Sequence, residues 1–384
     1  MKIVVSPDSY KGSLSSIEVS KSMKKGIQKA ISNAEIKLMP LADGGEGTLD
    51  TLVTSTNGEF ISEEVQGPLG DAVIARWGLL DSGRTAIIEM AEASGLTLIP
   101  KEKLNPLEAS TYGTGQLIKS ALNKGCKKII LGIGGSATND GGSGMVAALG
   151  VKLLDSQGQE LKPGGGSLSQ LDRISIDQLD QRIYQTEFIV ASDVSNPLCG
   201  PEGASYIFGP QKGATPEMVT TLDQGLKQYA EKIKQYLSKD ILNEPGAGAA
   251  GGLGAGLITF LNASIKPGIE IILDLLEFEK DVINADLVIT GEGKTDIQTS
   301  FGKAPMGVGI RAQKHGVPVI CVSGSVDPGI EALERHGINA AFSILNQPQT
   351  LEEAMANTDQ LIQITLENLM KVYKLSFEAK RVIT

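Results

Sequence analysis

Short apolar runs recur along the chain, and each ends in a glycine- or serine-rich break before residues with helical spacing. Ile3–Val5, Ile36–Met39, Ile129–Leu131, Phe188–Ala191, Asp286–Thr290 and Val317–Val322 read as buried strands. Between them, Ser15 with Glu18 forms a capping-box signature, and Thr215-Pro216-Glu217 reads as N-cap, N1 and N2 of a helix. Gln116–Asn123, Met145–Leu149 and Leu253–Leu261 read as further helices, and the lysine row Lys21, Lys24, Lys25, Lys29 as a solvated helix face. Strand, loop and helix in alternation predict an α/β protein with parallel strands. From Glu59 to Leu98 the pattern changes to short alternating runs between glycine turns, which predicts antiparallel strands and marks a domain boundary. Trp77 falls in this region and reads as a packing residue. Further on, Gly164–Gly166 reads as an exposed turn and Leu171–Gln185 as a polar connector.

At 384 residues the chain exceeds one ordinary core and calls for two α/β domains, in tandem or one inserted in the other. A net charge of −10 argues against nucleic acid or an anionic membrane as main partner, so an anionic ligand must be held by local cations, amides or a metal. Three widely spaced cysteines indicate neither a disulfide framework nor a zinc site, and a reducing cytoplasm fits. No signal-peptide pattern precedes the first strand, and the uncharged stretch Gly246–Ile265 is too glycine-rich for a membrane span, reading instead as a buried loop and helix. Only two histidines are present, which argues against a Ser-His-Asp hydrolase.

The chemistry concentrates at strand ends. Lys128–Gly150 has a strand, a turn with glycines at 132, 134, 135, 141, 142 and 144 enclosing Ser136, Thr138, Asn139 and Asp140, and then a helix. Glycines let backbone N–H groups face a ligand, and a helix N-terminus behind them favours an anion, so the turn suits a phosphate. The same residues admit a dinucleotide reading, Gly132-x-Gly134-x-x-Ala137 with Asp155 for the ribose, opposed by the poor helix formers Thr138–Gly142, and a plain packing turn. Asp8, Ser9 and Lys11 follow the first strand, where open α/β sheets bind ligands. Asp43 and Glu46, three apart in a glycine turn, suit either Mg²⁺ or a helix N-terminus. Asp193 follows another strand end, and Lys212 is either an anion clamp or a surface lysine. Gly246-x-Gly248-x-x-Gly251 follows a helical region, which weakens it as a dinucleotide motif but leaves an amide-rich loop. Glu292, Lys294, Asp296, Gln298 and Lys303 form a dense polar set after Thr290, where Gly293-Lys294-Thr295 imitates a P-loop without its first glycine.

Seven of these segments, PDSYKGSLS, PLADGGEGT, GIGGSATNDGG, ASDVSNPL, FGPQKGA, GAGAAGGLG and DLVITGEGKTDIQTSFGKAP, resemble in order and spacing the type I bacterial glycerate kinases, with Tyr10 standing where phenylalanine is expected. The resemblance covers nearly the whole chain. It implies ATP- and Mg²⁺-dependent phosphorylation of D-glycerate, usually at the 2-hydroxyl. It also implies a flavodoxin/Rossmann-like discontinuous domain (1–60 and 285–384) and an inserted α/β domain with a mixed sheet (61–284), the active-site cleft lying between them. A homodimer is compatible with it.

Phosphoryl transfer requires an anion cradle, a metal, a cation and a base. The cradle is expected at Gly134, Gly135, Ser136, Thr138 and Asn139, with Gly248, Gly251 and Gly252 as a second candidate. Glu292 and Asp296 are the first choice for Mg²⁺, ahead of Asp43. Asp193 is the expected base, Lys11 and Lys212 the anion clamps, and Asp8, Ser9 and Asp43 further substrate contacts. The competing readings are a 3-phosphoglycerate-forming kinase, a nicotinamide-dependent hydroxy-acid dehydrogenase, and a non-catalytic sensor of phosphorylated acids.

Overall fold

The β-branched run that opens the chain forms a strand, Lys2–Val5, whose Ile3, Val4 and Val5 are all fully buried, as a central parallel strand covered on both faces requires. A computed structural model supplies the structure and describes every residue except 43–46, 297, 298, 300–302, 329 and 384, with the backbone alone at 330–332 and 376–383. The chain divides into two compact units, Met1–Asp43 with Asp50–Ser55 and Ile269–Thr384, and Gly44–Leu49 with Thr56–Gly268.

In the first unit, Lys2–Val5, Glu35–Leu38, Leu287–Thr290, Val319–Ser323 and Ile338–Ser343 pair in parallel. Counted along the chain, their order across the sheet is 2-1-3-4-5, the flavodoxin-like arrangement. The order reverses between Lys2–Val5 and Leu287–Thr290, where Ile3 is level with Leu287. The segments leaving these two strands, 6–11 and 291–296, therefore start side by side at the crevice where such sheets take ligands.

Helix Ser16–Ala30 begins with the expected capping box: Ser15 Oγ accepts from the Glu18 N–H at 3.3 Å, and Glu18 Oε2 accepts from the Ser15 N–H at 2.9 Å. Its buried side lies along helix Thr358–Ile383 so closely that a Cβ on Gly26 would sit 2.7 Å from the Gln363 carbonyl. Tyr10 is buried and its hydroxyl donates to the Val322 carbonyl at 2.6 Å, which gives the hydroxyl absent from phenylalanine a partner.

The second unit holds a six-stranded mixed sheet. From one edge it runs Ser264–Lys266, Glu187–Ala191, Lys128–Gly132 and Thr85–Glu89, all parallel, then Ala72–Leu80 and Glu59–Gln66, both antiparallel. The last two are the hairpin that the alternating stretch predicts, and Trp77 is fully buried in the core. Glu89, Gly132, Ala191 and Lys266 are level in the ladder, so the loops after all four strands leave the sheet at one edge. Helices Tyr112–Asn123, Ser143–Ala148, Pro216–Leu237 and Ala249–Leu261 belong to the same unit. Thr215 caps Pro216–Leu237 by accepting from the Met218 N–H. No helix among the described residues is long and apolar enough to cross a membrane.

Three local readings change. The helix expected from Gln116 begins at Tyr112, because Gly113 and Gly115 allow contact with the Gln66 and Met145 carbonyls that outweighs their poor helix propensity. Gly164 and Gly165 are buried rather than exposed, the second facing the Asn139 carbonyl. The polar connector contains the strand Arg173–Ser175, paired with Lys152–Leu154.

Gly26→Ala tests the helix contact in the first unit. Alanine favours the helix by about 1 kcal/mol, whereas overpacking a fitted contact costs roughly 1–3 kcal/mol, so the expected net effect is a lower midpoint in thermal unfolding. A raised midpoint would show that the two helices have room to spare.

Candidate functional site

The turn after Lys128–Gly132 has an outer and an inner half. Gly134 and Gly135 are exposed, and their N–H groups make no hydrogen bond among the described residues. Gly135 adopts φ +72°, and its carbonyl accepts from the Leu96 N–H at 2.9 Å, while the Ala137 N–H donates to the Ser94 carbonyl at 2.9 Å. These bonds hold the turn to segment 94–96 with two amides directed away from the protein's own acceptors.

The inner half faces the protein. Ser136 is 6% exposed, and Thr138, Asn139 and Asp140 are fully buried. Asn139 donates through Nδ2 to the buried Ser205 Oγ at 2.9 Å, so it builds the turn from beneath. Asp140 accepts from four donors: the Thr111 N–H (2.9 Å) and hydroxyl (2.8 Å), and the Gly142 (3.1 Å) and Gly144 (3.2 Å) N–H groups. Four such bonds satisfy a carboxylate, although burial still raises its pKa above the ordinary value.

Lys212, expected as an anion clamp, is 1% exposed and lies under the same turn. Its Nζ donates to Ser136 Oγ at 2.7 Å and to the Thr138 carbonyl at 2.6 Å. Burial pulls its pKa down to about 7, against the opposing pull of the Asp140 charge.

The second glycine loop packs on the first. Gly251 (φ +67°) and Gly252 (φ +87°) are buried, the Gly251 carbonyl accepts from the Gly141 N–H at 3.0 Å, and a Cβ on Gly251 would lie 2.0 Å from the Thr138 carbonyl. A Cβ on Gly248 would lie 2.2 Å from the Pro197 carbonyl. These three glycines serve close backbone contact, leaving Gly134 and Gly135 as the outward amides of the predicted cradle.

The dinucleotide reading does not fit this geometry. Thr138–Gly142 is not helical, the helix starting only at Ser143, and Asp155 is engaged in its own turn by the Gln157 and Gln159 N–H groups.

Ladder register sets the neighbours of the outer amides. Ala191 is level with Gly132, so the exposed Asp193 and the Gly134–Gly135 turn follow adjacent strand ends. Two residues on this edge escape the sequence reading. Glu89, 8% exposed, closes the next strand and accepts from the Leu49 N–H at 2.7 Å. The exposed Lys266 closes the strand on the other side of Ala191. The available signal was a single charged residue ending each run, TAIIE and SIK, which chemistry shares with ordinary strand ends.

In the first unit the polar groups gather at the switch point. The Asp8 N–H donates to the Gly291 carbonyl at 2.8 Å and its Oδ1 accepts from the Ser9 N–H at 2.6 Å, while Ser9 and Lys11 are exposed. Glu292 is 6% exposed: Oε1 accepts from Thr299 (2.6 Å) and Thr295 (3.3 Å), and Oε2 lies 3.5 Å from Lys303 Nζ. Burial raises its pKa, and the Thr299 hydroxyl and the Lys303 charge counter this. Lys303 Nζ is also 3.8 Å from Asp296 Oδ1. Asp43, Glu46 and Gln298 lie outside the described residues. Among the described residues no group of three or more His, Cys, Asp or Glu side chains could hold a metal.

Lys212 makes a pH test possible. With a folded pKa near 7 and an unfolded one near 10.5, the unfolded chain holds more protons in that window, so this group adds stability as pH rises from about 7 to 10.5. The contribution cannot exceed about 1.4 kcal/mol per pH unit. Urea unfolding of Lys212→Met and the unmodified protein at pH 7.5, 8.5 and 9.5 is expected to show a stability difference that grows in favour of the unmodified protein. A constant difference would mean that Lys212 keeps its ordinary pKa.

Comparison with known proteins places this geometry. Residues 3–374 match the model of the glycerate kinase family. The chain is 51% identical over 354 residues to the Escherichia coli glycerate 2-kinase, covering 92% of this chain and 93% of that one. It is 50% identical over 370 residues to the glycerate kinase of Halalkalibacterium halodurans, covering 96% and 97%. A crystal structure of a putative glycerate kinase 2 from Salmonella typhimurium superimposes with a TM-score of 0.90 at 47% identity, covering 98% of this chain and 99% of that one. The chain belongs to the glycerate kinase family.

Proposed function

We propose that this protein is an ATP-dependent kinase that phosphorylates D-glycerate at its 2-hydroxyl, giving 2-phosphoglycerate and ADP. The observation that carries the reading is near-full-length similarity to a glycerate 2-kinase at 51% identity. The edge at which the parallel strands of the mixed sheet end offers suitable groups: outward amides for phosphate oxygens at Gly134 and Gly135, and an exposed carboxylate at Asp193.

In the proposed step the glycerate hydroxyl oxygen bonds to the γ-phosphorus while the bond from that phosphorus to the β,γ-bridging oxygen breaks, ADP takes up the released electron pair, and the hydroxyl proton passes to Asp193. Little covalent chemistry falls to the protein, so orientation and charge neutralisation dominate. Ser136, Thr138, Asn139 and Lys212 act beneath the turn as its supports. In the flavodoxin-like unit, Ser9 and Lys11 are the proposed contacts to the carboxylate of glycerate, and Asp8 holds the Ser9 amide.

Mg²⁺, when bound, would neutralise phosphate charge. Asp296 fits as its protein ligand, a partly exposed carboxylate of the hard-oxygen type that Mg²⁺ takes singly or in pairs beside phosphate. Glu292 fits poorly, because two threonine hydroxyls and Lys303 already engage its oxygens. ATP and glycerate are thus the proposed partners, in a cytoplasmic setting.

Incubation with ATP, Mg²⁺ and D-glycerate, followed by phosphorus NMR, is expected to show 2-phosphoglycerate and ADP. Accumulation of 3-phosphoglycerate would move the reaction to the other hydroxyl, and NAD-dependent oxidation or binding without turnover would sink the kinase reading. Asp193→Asn is expected to lower kcat by roughly 10²–10⁴ with the fold intact, the range for loss of a general base. Near-normal turnover in that variant would remove Asp193 from the role.

A further inference from the structure

The two main sheets have four outer strands, and three of them carry charge: Glu35 and Lys37 on Glu35–Leu38, three glutamates on Glu59–Gln66, and Lys266 on Ser264–Lys266. Charge on an outer strand deters further strands from pairing there. The fourth, Ile338–Ser343, reads INAAFS and has neither a charged residue nor a proline. At its start Asn339 Oδ1 accepts from the Val319 N–H at 2.7 Å across a register shift, and from Ala340 to Ser343 the pairing with Ile320–Ser323 is regular. Among the described residues these four make no backbone hydrogen bond outside that pairing, so the N–H and C=O groups on the outer side form an open row.

A groove of about 540 Å³ runs between this strand and helix Thr358–Ile383. Ile320, Ala340 and Phe342 line one side and Ile364, Leu369 and Val372 the other, and none of its lining residues is charged. The helix has two apolar sides. Leu361, Ile362, Leu366 and Met370 are buried in one cluster with Met23 and Ile27 of helix Ser16–Ala30. Ile364, Asn368, Val372 and Leu375 follow at helical spacing and share a second side, which has no such cover. Val372 is 68% and Leu375 65% exposed, and across the groove Phe342 is 43% exposed. Apolar side chains left open beside an open strand have the make-up of an interface.

We propose that a second copy of this chain occupies this surface, the two Ile338–Ser343 strands pairing antiparallel about a two-fold axis perpendicular to the sheet. With the axis at Ala341, Ala340 of each copy stands opposite Phe342 of the other on the groove side, and the two five-stranded sheets become one. The same rotation brings the second copy's helix to the same face of the joined sheet. One partner thereby closes the open row and covers Val372 and Leu375. Two chains of net charge −10 repel one another, so the face on which they can approach is one without charge. A strongly charged partner would find no counter-charge in this groove.

Analytical ultracentrifugation of the full-length protein from about 1 to 100 µM tests the association, and hydrogen exchange read by mass spectrometry at both ends of that range tests the surface. The expected result is a dimer that forms within the range, with exchange of the amides from Ala340 to Ser343 slowed about tenfold or more at the upper end. Phe342→Asp and Val372→Glu each bury an unpaired charge on both copies and are expected to weaken the dimer by about a hundredfold or more. Ile74→Asp, at an exposed apolar residue of the other unit, is expected to leave it unchanged. A chain that stays monomeric throughout, a dimer that survives Phe342→Asp and Val372→Glu, a dimer lost with Ile74→Asp, or one whose Ala340–Ser343 amides exchange at the monomer's rate overturns the proposal. The concentration series and the exchange comparison use the unmodified protein, so they decide the matter even where a variant misfolds.

Discussion

The ammonium of Lys212 holds the phosphate-type turn from within, meeting the Ser136 hydroxyl and the Thr138 carbonyl while Thr138 Oγ1 and Asn139 Oδ1 stay buried without a partner among the described residues. Two residues beyond Thr138 stands a second buried ion, Asp140, which is held by four donors of its own. Burying one charge without a partner would be costly. The Asp140 charge favours the charged form of Lys212, yet burial still leaves the Lys212 pKa lowered and the Asp140 pKa raised. The consequence is a fixed main chain at Gly134 and Gly135. Loop amides with no such support would turn back to water or to their own carbonyls.

Glycine works in two physically distinct ways around this turn. At Gly134 and Gly135 the missing side chain leaves the amides open on the surface. At Gly141, Gly251 and Gly252 it lets one backbone lie on another: a Cβ on Gly252 would be 2.9 Å from the Gly141 Cα, and all three have positive φ. The second loop therefore acts as a floor for the first, with helix Ala249–Leu261 running on behind it. The fully buried Leu253 and Leu257 fix that helix in the core, so the floor inherits the rigidity of the sheet.

This distinction explains how far the sequence can be read. The strands were legible because a run such as IIL or LVIT is apolar on both faces, and the helix starts at Ser16 and Pro216 because capping is a local reaction of neighbouring residues. The hairpin Glu59–Leu80 was legible from its period of two. The inward course of Thr138, Asn139 and Lys212 was not, since a lysine in a glycine-rich loop looks alike whether it meets solvent or a carbonyl 74 positions away in the chain. Nor was the use of Gly113 and Gly115 inside a helix, which depends on strand Glu59–Gln66 and helix Ser143–Ala148 lying against that face. Local chemistry is written in local sequence, and long-range partners become visible only through the fold.

The switch point of the flavodoxin-like unit shows the same economy of charge by other means. Glu292 is as buried as Ser136, yet its support is neutral on one side, Thr299 and Thr295, with Thr295 in turn 2.7 Å from Ser323 Oγ. Lys303 adds one positive charge shared between Glu292 and Asp296, so the two carboxylates and the ammonium together carry a single net negative charge. A divalent cation placed between both carboxylates would have to displace that ammonium from Glu292 Oε2, whereas one bound to Asp296 alone would leave the Thr295 and Thr299 bonds to Oε1 and the Lys303 contact to Oε2 as they stand. Hydroxyl groups around a buried glutamate thus do more than stabilise it: by occupying lone pairs of Glu292 they leave that carboxylate less room for a further partner than the more exposed Asp296, which Lys303 and Lys294 flank at 3.8 and 3.9 Å.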